Sequence, residues 1–263
     1  MKIEHAYILY IDTPKAVQYM EECKASCEQH GIPVTPFQGL KLPTTTQIIK
    51  DKWGFRVDPR CDDDYSNHPD PDMREVMPIW FKEQLCLTGH MAIWKEIATK
   101  HTGAVAVFEH DALVKKNFLD VDVNDLEWVF LGYRMDHRDD YECIDEPFTK
   151  EPVKKFEGTH AYASTPNTAR ACLDALDRFD KNRGYLPLGV SIDHMMGVTN
   201  GFKLPMYVVD PAPVIVPIED KISYTQPEEK TARYNMIPHT KTLKGIVKHE
   251  KYAIDGENNW MVF

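Results

Sequence analysis

The sequence lacks any run approaching the roughly 18 uninterrupted apolar residues that a membrane span requires, so no membrane-crossing helix is expected. It also lacks an excess of basic residues: 31 Lys and Arg stand against 41 Asp and Glu, a formal charge of −10. A chain charged in that sense is repelled by a phosphate backbone before contact. Non-specific nucleic-acid binding is therefore not expected, although a local basic groove is not excluded. No Cys-x-x-Cys pair occurs. The cysteines, at 23, 27, 61, 86, 143 and 172, are too scattered for a zinc or disulfide framework, and reduced thiols in a cytoplasmic setting are the expectation. The first apolar run, Ala6 to Ile11, is closed at once by Asp12-Thr13-Pro14. It is too short and wrongly flanked for a signal peptide. Internal repeats and low-complexity tracts are absent. What remains is 43% hydrophobic and 11% aromatic, ordinary for a packed globular protein and too apolar for a disordered one.

Apolar runs and helical stripes alternate along the chain. Tyr7 to Ile11 is a continuous apolar, β-prone run, the pattern of a strand buried on both faces. Thr13 offers a cap oxygen and Pro14 suits the first helical position. Val17, Met20, Cys23 and Cys27 then share one helix face, and Gly31 can end the helix in a left-handed turn. With Ile32-Pro33-Val34 following, this is the first unit of an α/β sheet. The segment 44–78 is acidic and aperiodic and reads as a long surface excursion. Helical spacing returns at Trp80 and carries Leu87, Met91, Trp94, Ile97 and Ala98 to Gly103. Buried strands are expected at Ala104 to Phe108, Trp128 to Gly132, His160 to Ser164 and Met206 to Val209. A helix capped by Thr165 and opened by Pro166 is expected after the third of these. We place a catalytic domain at 1–217 and a polar extension at 218–263, which wraps the domain or stays mobile and ends in the apolar Trp260 to Phe263.

The clearest buried strand ends in three polar residues, Glu109-His110-Asp111, which strand propensity does not explain. In an open α/β sheet, ligands bind outside the carboxyl ends of the strands. Two carboxylates leaving a strand into a turn can aim at one point, and Mg²⁺ or Mn²⁺ takes such oxygen ligands while keeping waters or phosphate oxygens in its other positions. A nucleotide diphosphate held that way becomes a good leaving group. The competing reading is a surface turn or a helix cap.

Glu83, Cys86, His90 and Trp94, followed by Val105 to Ala112, resemble the central block of glycosyltransferase family 25, the lipooligosaccharide-type sugar transferases related to collagen galactosyltransferases. Further similar stretches follow the same order: Tyr7-Ile8-Leu9, Phe37-Gln38-Gly39, Thr159 to Ser164, Ser191-Ile192-Asp193-His194 and Pro211 to Val216. Departures are His110 within the acidic triplet, Thr13-Pro14-Lys15 where the family has arginines, Leu85 for a glycine and Gly89 for a serine. The resemblance implies a GT-A-like α/β fold, a mixed sheet with helices on both faces. It implies a metal-dependent hexosyltransferase, inverting, that uses a nucleotide-diphosphate sugar, with UDP-galactose or UDP-glucose the donors it suggests. The acceptor is a hydroxyl of a glycan or another molecule, and a modified nucleic-acid base stays open as acceptor.

Within that frame Asp111 is the first metal ligand, supported by Glu109, which also contacts the donor. Asp193 is the general base that takes the acceptor proton, or else a helix cap. His194 is a further metal ligand or a histidine satisfied within the fold. Tyr162 faces the donor pocket or is packing, and the same choice holds for His90, one turn before the core residue Trp94. Cys86 and Cys172 read as small buried residues. Two rivals stand beside the transferase: a catalytically silent glycan- or nucleotide-binding module on the same fold, and a metal-dependent phosphotransferase or nuclease built on the acidic stretch 58–72.

Overall fold

The structure, a computed structural model, describes residues 1–135, 138–139, 141–154, 156, 158–186, 188–189, 191–198, 201–217 and 245–247. Of residues 179–183, 194, 198 and 245–247 only the backbone is described. The remainder of the 218–263 extension, including Trp260 to Phe263, lies outside the described residues.

The first unit forms as its residues dictate. Strand β1 (Ile3–Tyr10) leads into helix α1 (Pro14–Gln29). Thr13 Oγ1 accepts the Ala16 N–H at 3.3 Å, Pro14 opens the helix, and Gly31 turns the chain at φ +69° into β2 (Val34–Gln38). The segment 44–78 is more ordered than its composition suggests. It holds helix α2 (Thr46–Trp53), a 3₁₀ turn at Pro59–Asp62 and the start of α3 (Pro71–Lys100), which begins nine residues ahead of Trp80. Ile49 and Trp53 of α2 are buried, but eight residues give too few apolar repeats to be noticed by periodicity.

Strand β3 (Ala104–Glu109) follows, then β4 (Leu113–Val114). The single strand expected from Trp128 to Gly132 is two. β5 (Trp128–Phe130) lies in the main sheet and β6 (Gly132–Met135) in a second one. The switch occurs at Leu131, whose N–H bonds Ala161 C=O while its own C=O accepts from Val214 N–H. Next come β7 (Tyr141–Cys143), β8 (Thr149–Val153), β9 (Ala161–Ser164) and α4 (Pro166–Arg183), with the Thr165 hydroxyl accepting the Thr168 N–H as cap. A π-helical turn at His194–Val198 precedes β10 (Met206–Asp210) and β11 (Val214–Pro217). Within the extension, β12 (Gly245–Val247) pairs antiparallel with β7.

The main sheet has seven strands in the order β2-β1-β3-β9-β5-β10-β8. β1 is parallel to both β2 and β3, and β5 to β10, while β9 runs antiparallel between β3 and β5 and β8 antiparallel beside β10. It is the mixed α/β sheet with helices on both faces that the sequence implies. Alternation assigns the faces: Val105 and Val107 join the apolar cluster under α2, α3 and α4, whereas Ala104, Ala106 and Phe108 join the cluster under α1. Glu109 has the parity of Val105 and Val107. That parity aims its side chain at the α3 side of the sheet, at the carboxyl end of the best-buried strand.

Candidate functional site

Glu109 ends β3, and its backbone N–H bonds His160 C=O while its own C=O accepts from Ala112 N–H, closing a tight turn. The side chain is about one-fifth exposed. Its Oε1 accepts from the Thr159 hydroxyl at 2.7 Å, and the same hydroxyl lies 2.8 Å from Asp193 Oδ1. Thr159 is buried and Asp193 half-buried. A threonine hydroxyl has one proton to donate, so it satisfies one carboxylate at a time and presents lone pairs to the other. Two carboxylates from distant parts of the chain thus meet on one hydroxyl.

Two glycines allow this convergence. Gly158, just before Thr159, has φ +103°, and a Cβ there would lie 1.9 Å from the His160 ring. Gly197 lies in the π-helical turn beyond Asp193, and a Cβ there would sit 1.9 Å from Phe156 C=O, consistent with the close backbone contact from Phe156 N–H to Gly197 C=O. Any larger residue at either position displaces the carbonyl or the ring it meets. Asp193 is not the cap of its turn: the Met195 N–H bonds Ser191 C=O, so the helical run starts before Asp193 and leaves that carboxylate for Thr159.

Behind Glu109 stands α3. His90 is fully buried; its Nδ1 is 3.0 Å from Tyr162 Oη, and its Nε2 faces Glu109 Oε1 at 3.8 Å. Tyr162 Oη also accepts the Trp94 indole N–H at 2.8 Å. Burial pushes the Tyr162 phenol well above its ordinary range, so it stays a neutral hydroxyl. Tyr162 has no exposed surface and offers no atom to a donor molecule; it reaches the site only through His90. Trp94 is core, as expected.

The side chains of the acidic triplet lie in different surroundings. The turn closed by Glu109 and Ala112 breaks the strand alternation, and Asp111 comes to the α1 side. The Cys23 thiol there is held well above its ordinary range by a hydrogen bond with Cys27 and by burial, and the Asp111 charge adds to the effect. His110 stacks on Tyr19 of α1, with ring centroids 6.2 Å apart. Lys15, in the stretch where the resemblance leads one to expect arginines, lies 5.4 Å over the same Tyr19 ring. The His194 side chain lies outside the described residues. Glu109 and Asp193 are therefore brought together, Asp111 is placed on the opposite face of the turn, and Tyr162 is placed behind the site.

Thr159 is the residue that sequence reasoning left without a role. The signal was its neighbour Gly158: a glycine ahead of a short buried strand marks a backbone that must turn tightly beside the strand end. Among the described residues, one group of three potential metal-ligand side chains has its atoms within 4.8 Å of one another, namely Cys86, His90 and Glu109.

No protein-family profile matches the chain, and no curated protein matches it. Among solved structures it is similar to the apo form of the glycosyltransferase GlyE of Streptococcus pneumoniae TIGR4, with 9% identity and a TM-score of 0.37 over 78% of this chain. The match covers 45% of GlyE, so the chain spans less than half the length of that protein. It is also similar to the inositol-1-phosphate CTP transferase of T. maritima, with 9% identity and a TM-score of 0.40 over 85% of this chain and 93% of that one. A third is a glycosyltransferase involved in glycosylation of the major capsid of PBCV-1, with 10% identity and a TM-score of 0.36 over 81% and 93% of the two chains. Among the described residues, no helix is long and apolar enough to cross a membrane.

Proposed function

We propose that this chain is a GT-A-like hexosyltransferase that moves a sugar from a nucleotide-diphosphate donor to a hydroxyl acceptor. The observation that carries the reading is the convergence of Glu109 and Asp193 on the Thr159 hydroxyl at the carboxyl edge of a mixed sheet, where α/β folds bind ligands. The ordered resemblance to family 25 supports it and supplies the donor class, a UDP-sugar.

In this reading Asp193 is the base. As the acceptor oxygen attacks the anomeric carbon, a new C–O bond forms there and the bond to the donor phosphate breaks. The acceptor proton passes to the Asp193 carboxylate, and the nucleotide diphosphate leaves with the bonding electrons. One base suffices for an inverting displacement, and a well-placed one contributes about 10²–10⁴-fold in rate. Thr159 keeps Asp193 from swinging away and fixes its distance from Glu109. A divalent cation of the Mn²⁺ or Mg²⁺ class fits the oxygen-rich edge, because such an ion asks one or two carboxylates of the protein and takes its other ligands from water and phosphate. Glu109 would hold it, with His194 as the further ligand that the resemblance implies; Asp111, the resemblance's first ligand, lies on the α1 side of the turn and would have to swing round it to join Glu109. When bound, the ion supplies charge neutralisation for the departing diphosphate.

The direct experiment is titration of the full chain with UDP in the presence of Mn²⁺, followed by assay of UDP-sugar hydrolysis and of transfer to a panel of glycan hydroxyls. Metal-dependent UDP binding with hydrolysis that disappears in Glu109→Gln supports the transferase. Binding with no turnover under any donor makes the chain a nucleotide-binding module instead. No binding at all overturns both.

A further inference from the structure

On α3, Cys86 and His90 are four residues apart and so share one face of the helix. That face meets the end of β3. The Cys86 sulfur, a His90 ring nitrogen and a Glu109 oxygen all lie within 4.8 Å of one another. His90 is fully buried, and its Nε2 has no hydrogen-bond partner although it faces the Glu109 carboxylate at 3.8 Å. An unpartnered polar atom in the interior is costly, on the order of 1–3 kcal/mol. The 3.8 Å gap is too long for a hydrogen bond. It is a few tenths of an ångström wider than the spacing of two ligands on a common ion: on a tetrahedral centre with N and O bonds of about 2.0–2.2 Å, neighbouring ligand atoms stand about 3.3–3.5 Å apart, which a small side-chain adjustment reaches.

We infer that Cys86, His90 and Glu109 form a binding site for a borderline-soft divalent cation of the Zn²⁺ class. The donor set decides the class. One thiolate, one imidazole and one carboxylate favour zinc over magnesium, which prefers oxygen ligands only. The surroundings supply what a metal-bound histidine needs. Tyr162 Oη lies 3.0 Å from His90 Nδ1 and is itself fixed by the Trp94 indole, so the ring is oriented with Nε2 towards the site. Cys86 and Glu109 are only partly buried, which gives the ion an entry path and leaves a fourth position open to water. Binding displaces the Cys86 thiol proton to solvent. The sharing of Glu109 with the Thr159–Asp193 pair means that an ion here would fix the carboxylate at the catalytic edge from behind.

The inference does not depend on the transferase reading, because its readout is metal binding and not turnover. The full chain, stripped with a chelator, is titrated calorimetrically with Zn²⁺ and, in parallel, with Mg²⁺. Co²⁺ is added as a spectroscopic probe, since a cobalt–thiolate bond gives a charge-transfer band that oxygen and nitrogen ligands do not. The expected result is saturable Zn²⁺ binding, a thiolate band with Co²⁺, and loss of both in Cys86→Ser. Cys86 is partly exposed, so Cys86→Ser is expected to fold, and its thermal unfolding checks this. Tyr162→Phe, which keeps the buried shape and removes the orienting oxygen, should weaken Zn²⁺ by about 10- to 100-fold. Absence of Zn²⁺ binding overturns the site, and so does a band retained in Cys86→Ser, which assigns the metal to other thiols. Equal affinity for Mg²⁺ and Zn²⁺ also overturns it. A chain that binds UDP with Mn²⁺ but no zinc loses this inference alone.

Discussion

The carboxylates between Asp58 and Asp72 and the pair Glu109 and Asp193 are both acidic groups on or near the surface, yet they are partnered in different ways. Asp58 accepts the Arg60 backbone N–H at 3.0 Å and the guanidinium at 3.0 and 2.6 Å. Asp62 accepts the Thr46 N–H at 2.8 Å, Asp64 that of Ser66 at 2.9 Å, and Asp70 that of Asp72 at 3.0 Å. Each of these acids has a donor of its own, and each closes a turn or a helix start. Glu109 and Asp193 share a single hydroxyl. These four acids thus serve local structure. The sparser pair joins two carboxylates from distant stretches of the chain beside a sheet edge. Density of acids is a poor guide to chemistry; convergence of acids from distant parts of the chain is a better one.

The comparison breaks first, and most visibly, at Asp193. Asp193→Asn should lower the rate of sugar transfer by about 10²–10⁴-fold, the range for loss of a positioned base, while metal-dependent donor binding measured by calorimetry stays near its starting value. The amide still bridges to Thr159, so thermal unfolding should move little. Loss of donor binding and of transfer in equal measure would instead make Asp193 part of the scaffold, like the acids of 58–72.

The capping of α1 by Thr13 and Pro14 was legible because caps are local chemistry. β3 was legible because five consecutive small or apolar residues, Ala104 to Phe108, buried on both faces leave few alternatives. The division of 128–135 between two sheets was not, since both pieces are buried and periodicity carries no sign of which neighbour the backbone bonds. Helix α2 was hidden in an acidic stretch by its short length. At the site, Glu109 and Asp193 stood out as acids at the right places in the chain, and the expectation that Glu109 and Asp111 converge rested on two carboxylates leaving a strand into a turn. The turn is there, closed where Ala112 bonds back to Glu109, but the sequence does not register how tight it is or to which side it sends Asp111. The i, i+4 spacing of Cys86 and His90 was visible throughout, but its meaning needed the end of β3 beside it.

The structural side of the comparison sharpens at Asp58. Burial alone would raise its carboxyl, but hydrogen bonds from the Arg60 side chain and backbone outweigh that and hold it below the usual carboxylate range. Asp58→Ala removes the cap of the 3₁₀ turn and should cost about 1–3 kcal/mol in urea unfolding, with UDP binding unchanged. The pH dependence has a definite sign. A folded-state value below the unfolded one means that the unfolded chain binds the proton first on acidification, so stability rises with pH across that interval. The contribution is complete above the unfolded value of about pH 4 and fades as pH falls through the folded value. The stability gap between the wild-type chain and Asp58→Asn should therefore be constant near neutrality and close below about pH 4. A gap that widened on acidification would mean that Arg60 does not act through the ionised carboxylate.

The smallest effect is expected at Asp62. Its carboxylate sits at the first turn of α2, accepting the Thr46 N–H that no residue within the helix can satisfy. Negative charge at a helix start is worth about 0.3–1 kcal/mol when exposed, and salt screens it. Asp62→Asn keeps an acceptor but removes the charge, so it should lose only the salt-sensitive part, whereas Asp62→Ala should lose that and the hydrogen bond together. Unfolding of both variants at low and at high salt separates the two contributions. If the Asn variant matched the Ala variant in high salt, the Thr46 contact would be worth nothing, and the carboxylates of 58–72 would have to be read as solvated charge and not as caps.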